Sequence, residues 1–414
     1  MAAIVVIGPV AVEPASAGGA GRPGVTKTEI RVGGVATVTG SAGRDYASAF
    51  DGVEAYFEQV NHDGGVFDRR LRLVSRINDG GAASRNVAAN RRLASRQKVF
   101  AVLPESTRVF TGADELVFAG IPTLGWNTSL EWARGPNLFG DVGSYSCFSC
   151  PAVAPAFVAA QLGVKRVAVL APASKQRVDC AAGMRAGFER YGFEVAVADP
   201  TLDADLSGLD GDVQRIRERG VELVATCRLT FSDVKRVVQA LKDAGLESVP
   251  VYTEEVYDPR ALKRAGEAFD GVIVGTRFVP WEAPRSSAGT RAFLAAMKKR
   301  KQAPTPAAQA GWINAALLVA GIQAAGRTFT QQSVVEAINA MTDFRADGIL
   351  AGINWTAGGH GPGRERCTAF VAAVDGRFKL RFAEAAQPFV CFPDNPVPGE
   401  LGTPVYRPAS PPPG

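Results

Sequence analysis

The side chains able to do chemistry sit in short loops that follow apolar runs. KVFAVLPEST ends in Glu105, Ser106 and Thr107, and IPTLGWNTS ends in Trp126, Asn127 and Thr128. Upstream, IRVGGVATVTG opens the loop from Thr39 to Tyr46, which carries Asp45. Hydroxyls and amide hydrogens hold anions, and carboxylates hold ammonium groups. Catalytic pairings are missing: there are 2 histidines, His62 and His360, and no GxSxG turn, which leaves little for general-base work. Glu254 and Glu255 are neighbours on a strand-like run, so they point to opposite faces and share no substrate. Gly64-Gly65 and Gly80-Gly81 are turn residues, not the glycine loops that cradle phosphates. The pattern favours binding over catalysis.

The elements that must position these loops alternate. From Ile30 to Trp126 the chain reads strand, glycine loop, helix, strand, helix, strand, helix, strand. Such alternation predicts a parallel sheet covered by helices on both faces, with ligands at the carboxyl ends of the strands. Residues 144–162 form a junction, and the rhythm then restarts with KRVAVLAP, FEVAVADP, VELVATC, VPVYTEE and FDGVIVGT as strands. Helices are expected at Thr290–Arg300, Gln309–Ala325 and Thr330–Met341, the middle one buried. GILAGINW, CTAFVAAV and GRFKLRF then read as short strands, and GGHGPG at Gly358–Gly363 as a hairpin loop. Two copies of one α/β architecture follow.

At 414 residues the chain is long enough for two cores. A net charge of +5 with no basic stripe argues against nucleic acid as a partner. Ile4 to Val12 is too short for a membrane span, and Ala15-Ser16-Ala17 resembles a signal-peptidase site. The first 24 residues therefore read as signal-like or disordered, which points to a secreted, periplasmic or cell-wall location. The Pro-rich stretch 395–414 lacks an apolar period and reads as disordered.

The 6 cysteines are Cys147, Cys150, Cys180, Cys227, Cys367 and Cys391. An even count suits disulfides in an exported chain, with fifteen complete pairings open. Cys147 and Cys150 have the spacing of a redox or metal pair, but zinc needs two more ligands. Cys180 opens a helix and Cys227 ends a strand, so the two are able to bridge if their strands are neighbours. Cys367 and Cys391 bracket the late hairpin region and form another candidate pair. No metal or other cofactor is expected.

These residues, in this order, resemble the type I periplasmic binding proteins, in particular the leucine/isoleucine/valine-binding receptors of ABC transporters. The resemblance runs from about Val25 to Phe392. It rests on GVTKTEIRVGGVATVTG, a helix ending VNHDGG, LRLVSRINDGG, LASRQKVFAVLPEST and IPTLGWNTS, with KRVAVLAP, ALKDAGL, VPVYTEE and FDGVIVGT following. It implies an α/β fold of two doubly wound, Rossmann-like lobes with parallel sheets, joined by a three-stranded hinge near Val142, Trp281 and Thr342. Lobe 1 would be residues 25–143 plus 282–341, and lobe 2 residues 144–281 plus 342–394. It also implies an extracytoplasmic, non-enzymatic protein that closes on an amino acid or organic acid and hands it to an ABC permease. A ligand sensor of the same fold is the alternative.

Carried over residue by residue, the resemblance puts Ser106 and Thr107 on the ligand carboxylate, beside Glu105. Trp126, Asn127 and Thr128 fall in the next loop, and Asp45 or Tyr46 lies over the ligand. Glu255, or Glu254 one register away, pairs with the ammonium. A zwitterion buried in a closed cleft loses its hydration, so each charge needs fixed partners. Three departures bear on the ligand. Trp126 stands where the family often has a small residue, and fills a pocket or stacks on a flat ligand. Arg177-Val178-Asp179 replaces an aromatic-glycine pair, and Cys227-Arg228-Leu229-Thr230 replaces a tyrosine-rich loop. Arg177 and Arg228 suit a second carboxylate or a phosphate, so the expected ligand is more acidic or more aromatic than leucine.

Overall fold

The computed structural model of the chain describes residues 22–39, 46–127, 129–141, 143, 149–173, 175–203, 205–254, 256–356, 367–392, 401 and 404–407, the side chains of 175–178 excepted. Asp45, Thr128, Cys147, Glu255 and the glycine-rich stretch 358–363 fall outside these residues.

The first sheet contains strands β1 (Glu29–Ala36), β2 (Arg70–Asn78), β3 (Ala101–Ser106), β4 (Thr123–Gly125) and β5 (Leu138–Gly140), all parallel, in the order β2-β1-β3-β4-β5. Each residue of β3 is buried, as expected of a central strand covered on both faces. Helices α1 (Ala49–His62), α2 (Ala83–Arg91) and α3 (Ala113–Ala119) make the crossovers.

The second sheet begins with five strands of like topology. They are β6 (Arg166–Pro172), β7 (Glu194–Leu202), β8 (Leu223–Thr226), β9 (Val251–Thr253) and β10 (Val272–Thr276). They run parallel in the order β7-β6-β8-β9-β10. Numbered within its own lobe, each sheet reads 2-1-3-4-5, the doubly wound order whose direction reverses beside the first strand. Helices α4 (Ala154–Leu162), α5 (Lys175–Arg190), α6 (Leu209–Glu218), α7 (Phe231–Asp243) and α8 (Pro259–Ala265) belong to this half. The sheet then changes character: β11 (Cys367–Val374) runs antiparallel to β10 and pairs with β12 (Arg377–Arg381) and β13 (Phe389–Cys391).

Two sequence expectations change here. GILAGINW forms no strand and contributes only isolated bridges, Phe278 with Leu350 and Phe344 with Ile353. Its apolar residues instead enter the core of the first lobe, where Ile349, Leu350 and Trp355 are buried beside Phe139 and Phe344. Within the tail read as structureless, Val405–Arg407 forms β14, antiparallel to β13. Without it β13 would be a sheet edge with free backbone donors.

Helices α9 (Ala288–Lys299), α10 (Pro306–Ala325) and α11 (Gln331–Asn339) complete the first lobe. Thr305 caps α10 through Ala308 N, with Pro306 in the first turn, both favourable for helix initiation. The helix is buried along most of its length around Trp312 and Leu317. Its close crossing with α1 is set by two glycines: a Cβ on Gly52 would fall 1.7 Å from the Ala308 carbonyl, and one on Gly311 would fall 2.1 Å from that of Ala49.

Three chain passages join the lobes: β5 to α4, β10 to α9, and α11 to β11. The second and third are stitched together by the Val279 amide donating to the Ile349 carbonyl at 2.9 Å.

Candidate functional site

In the first lobe the order of strands reverses between β1 and β3, and Glu105 and Ser106 are the last residues of β3 rather than part of a loop, with Thr107 directly after them. The backbone is anchored on both sides. Thr37 N donates to the Ser106 carbonyl at 3.0 Å, and Trp126 N donates to that of Glu105 at 3.1 Å.

Glu105 is fully buried, and its carboxyl faces inward. It accepts from Thr107 Oγ1 at 2.7 Å, Asn86 Nδ2 at 2.9 Å and Asn90 Nδ2 at 3.1 Å. Burial pushes it up to about 8; the three hydrogen bonds oppose the shift and the Asp79 carboxylate adds to it. Asp79 is held by Thr37 Oγ1 and Gly81 N, each at 2.8 Å, and shares the Asn86 amide at 3.3 Å. The Thr107 hydroxyl is thus turned toward Glu105 and the Val109 carbonyl. Ser106 differs: its Oγ is buried and has no hydrogen-bond partner among the described residues. Such a group costs free energy unless something pairs with it.

The rings of Tyr46 and Trp126 lie 5.5 Å apart at 51°. Trp126 is half-buried, while Asn127 is buried and donates to the Gly143 carbonyl at 2.9 Å. The Asn127 amide therefore holds the first passage between the lobes. Asp141, in the same passage, is buried and pushed up to about 6 by desolvation, against the pull of Arg277 in the second passage. That second passage is tied to both lobes. Tyr257 Oη donates to Glu282 at 2.6 Å and accepts from Trp281 N at 2.7 Å, and Trp281 Nε1 donates to Gln309 of α10 at 2.7 Å.

In the second lobe the corresponding strand ends are those of β6, β8 and β9. Arg228 follows β8, half-buried, with φ of 53°, a left-handed conformation uncommon for a residue with a Cβ. It precedes Thr230, whose side chain and Asp233 form a capping box on α7. Arg177 lies in the first turn of α5, not in a loop ahead of a helix beginning at Cys180. Glu254 accepts from Tyr252 Oη at 2.9 Å. Tyr252 has room because the facing residue is Gly275; a Cβ there would meet its hydroxyl at 2.7 Å. Cys180 of α5 is bonded to Cys227, with Cα atoms 5.9 Å apart, which ties the helix after β6 to the loop after β8. Cys367 is bonded to Cys391 across β11 and β13, and Cys150 is disulfide-bonded too. Among the described residues no group of three or more His, Cys, Asp or Glu is placed to hold a metal ion, and no helix is long and apolar enough to cross a membrane.

Two such lobes, with loops at matched strand ends and three passages between them, agree with a sequence-level match. The profile described as periplasmic binding protein covers residues 29–377. The chain belongs to the periplasmic binding protein family. Members of this family, and the solved structures it resembles, are binding proteins. No curated protein matches the chain in sequence.

Among solved structures, the chain is similar to the fatty acid ABC transporter substrate-binding protein of Thermomonospora curvata (TM-score 0.69, 17% identity, 87% of this chain and 92% of that one). It is also similar to an ABC-transporter solute binding protein of Rhodopseudomonas palustris in complex with p-hydroxybenzoic acid (0.68, 20%, 85% and 95%). A third is the branched-chain amino acid transporter substrate binding protein of Streptococcus pneumoniae in complex with isoleucine (0.67, 15%, 85% and 98%). At these identities the likeness establishes the fold: α/β, two lobes, parallel sheets.

The buried network under Ser106 was not visible as a site in the sequence, although one signal existed. Asn86 and Asn90 are four apart on a helix, which puts two amides on one face. The pairing of Asp141 with Arg277 had no comparable signal, because it joins distant passages.

Proposed function

We propose that this protein is the extracytoplasmic substrate-binding component of an ABC importer, and that it closes on a small organic acid with an apolar, preferably aromatic, body. The observation that carries this reading is that Ser106 Oγ, at the switch point, has no partner among the described residues; Trp126, whose amide bonds the neighbouring Glu105 carbonyl, has its ring against that of Tyr46. A carboxylate would satisfy the hydroxyl, and a flat body would pack on the rings. The solute binding protein of R. palustris in complex with p-hydroxybenzoic acid supports trying that class first. Lobe 1 is assigned residues 25–143 plus 282–341 and lobe 2 residues 144–281 plus 342–394, with signal-like residues 1–24 ahead. Asp45, Thr128, Arg177, Arg228, Glu254 and Glu255 complete the proposed lining, with Thr107 and Asn127 supporting it. Ligand stabilises the closed form by bridging the lobes, and an ABC permease reads that form.

The test is thermal unfolding of the full chain with benzoate, 4-hydroxybenzoate, isoleucine and octanoate. A ligand at a hundredfold excess over its Kd adds about 2.7 kcal/mol of stability, a shift of several degrees. Benzoates should give the largest shift, reduced by Ser106→Ala and Trp126→Ala. Identical melting with all four acids would end this reading.

A further inference from the structure

The carboxyl of Glu105 lies one residue from the Ser106 hydroxyl, yet every group bonded to it is neutral: Thr107, Asn86 and Asn90. Among the described residues no cation compensates it. From β1 the paired residue is Val35, and from β4 it is Gly125. From the turn after β2 comes Asp79, a second carboxylate, joined to Glu105 through the Asn86 amide. The nearby guanidinium of Arg85 is committed to the Asp79 and Gly80 carbonyls, and the Arg108 stem runs beside Gly81. A buried carboxylate with only neutral donors and an anionic neighbour is an expensive charge.

A second observation points the same way. Thr107 Oγ1 lies 2.7 Å from Glu105 Oε1 and 3.0 Å from the Val109 carbonyl, and a hydroxyl has one hydrogen to give. With that hydrogen on the carbonyl, the Thr107 oxygen accepts a proton carried on Oε1, and the carboxyl becomes a donor.

We propose that Glu105 is a positioning residue that keeps its proton beneath the Ser106 loop, so that binding of an anion there is coupled to protonation of Glu105. The coupling rests on the reading of the cleft as an organic-acid site; the proton on Glu105 does not. When Glu105 is neutral, the floor of the loop is uncharged and a ligand carboxylate meets no opposing field. When it ionises, that carboxylate sits above a buried negative charge, and the Thr107 and asparagine donors are drawn further inward.

Burial holds Glu105 near 8 in the folded chain, against about 4.5 when exposed. A raised acid contributes stability that is fully present below its unfolded value and lost as pH rises through its folded value. Two experiments separate the parts.

In the first, melting of the full chain without ligand is followed from about pH 5 to about pH 9. The wild type should lose stability relative to Glu105→Gln across this window. Asp79→Asn should move the loss to lower pH, because it removes the anionic neighbour. Parallel curves for wild type and Glu105→Gln, with no displacement in Asp79→Asn, would overturn the assignment of the proton.

In the second, benzoate is titrated calorimetrically in buffers of differing ionisation enthalpy. Affinity of the wild type should fall about tenfold per pH unit above about 8, with proton uptake on binding, whereas Glu105→Gln should show neither. An equal pH slope in both proteins overturns the coupling. Failure of benzoate to bind either protein defeats the coupling, failure of all four acids defeats the organic-acid reading with it, and the ligand-free curves still decide the proton.

Discussion

The two lobes repeat one strand order but secure the segments at their matched strand ends by different means. In the first lobe the loop after β3 rests on a buried polar network of Asp79, Asn86, Asn90, Glu105 and Thr107. In the second, the helix after β6 and the loop after β8 are tied covalently through Cys180 and Cys227, within an apolar cluster that includes Phe157, Val169, Phe188 and Tyr252. All 6 cysteines fall between positions 147 and 391. A polar network specifies one arrangement because each partner has a fixed geometry, and an error leaves a buried group unpaired. A disulfide limits the unfolded chain and asks little of the surrounding residues. The same frame is therefore held by enthalpic specificity on one side and by chain connectivity on the other.

The comparison would be broken most directly by reduction. Cys180 and Cys227 are 47 residues apart, so opening that link should cost about 4 kcal/mol on a loop-entropy basis. Calorimetry of Cys180→Ala/Cys227→Ala should show the second lobe melting earlier and the first unchanged. A uniform loss across both lobes would mean that the link supports the whole molecule.

A smaller effect is expected where the lobes meet. Burial raises Asp141 from 3.8 to about 6. Its stabilising contribution is thus full below about pH 4 and lost as pH rises through about 6, with a total of about 3 kcal/mol. Chemical denaturation across that range should show a steeper loss of stability in the wild type than in Asp141→Asn. An unchanged slope would remove Asp141 from the account of the hinge.

Asn86→Leu then tests the network. It deprives both carboxyls of a donor and the Gly112 amide of its acceptor, and should cost about 1–3 kcal/mol in urea unfolding. A cost below that range would show the first lobe to be held by packing alone. The smallest effect belongs to Thr230→Ala, which removes the capping box beside Arg228 and should lower stability by about 1 kcal/mol. Because the disulfide already holds that loop, ligand affinity should change little, and a large change would show the cap to be part of the binding site.

The alternation of elements and the buried α10 were legible in the sequence because each depends on local periodicity, while Cys180 with Cys227 and Cys367 with Cys391 were only candidates among fifteen open pairings until the strand order was known. GILAGINW was misread for the converse reason: a short apolar run suits a strand or a core-filling loop equally well. The strand ends that carry the proposed site residues were legible as well, since parallel strands present their carboxyl ends at one edge. The division of labour among its residues was not. Adjacent Ser106 and Thr107 look equivalent in sequence, yet the Thr107 hydroxyl faces Glu105 while that of Ser106 has no partner among the described residues.

What the chain determined by itself was its architecture: strand periodicity, glycine at the α1–α10 crossing, caps at helix starts and the α/β order that leads to two lobes. Tertiary structure alone decided which carboxyl is buried, which hydroxyl is left over and which cation meets Asp141. The physical reason is that desolvation and hydrogen-bond geometry depend on what other elements bring within about 3 Å of a group. Neighbours separated by dozens of residues set those terms, and no local pattern records them.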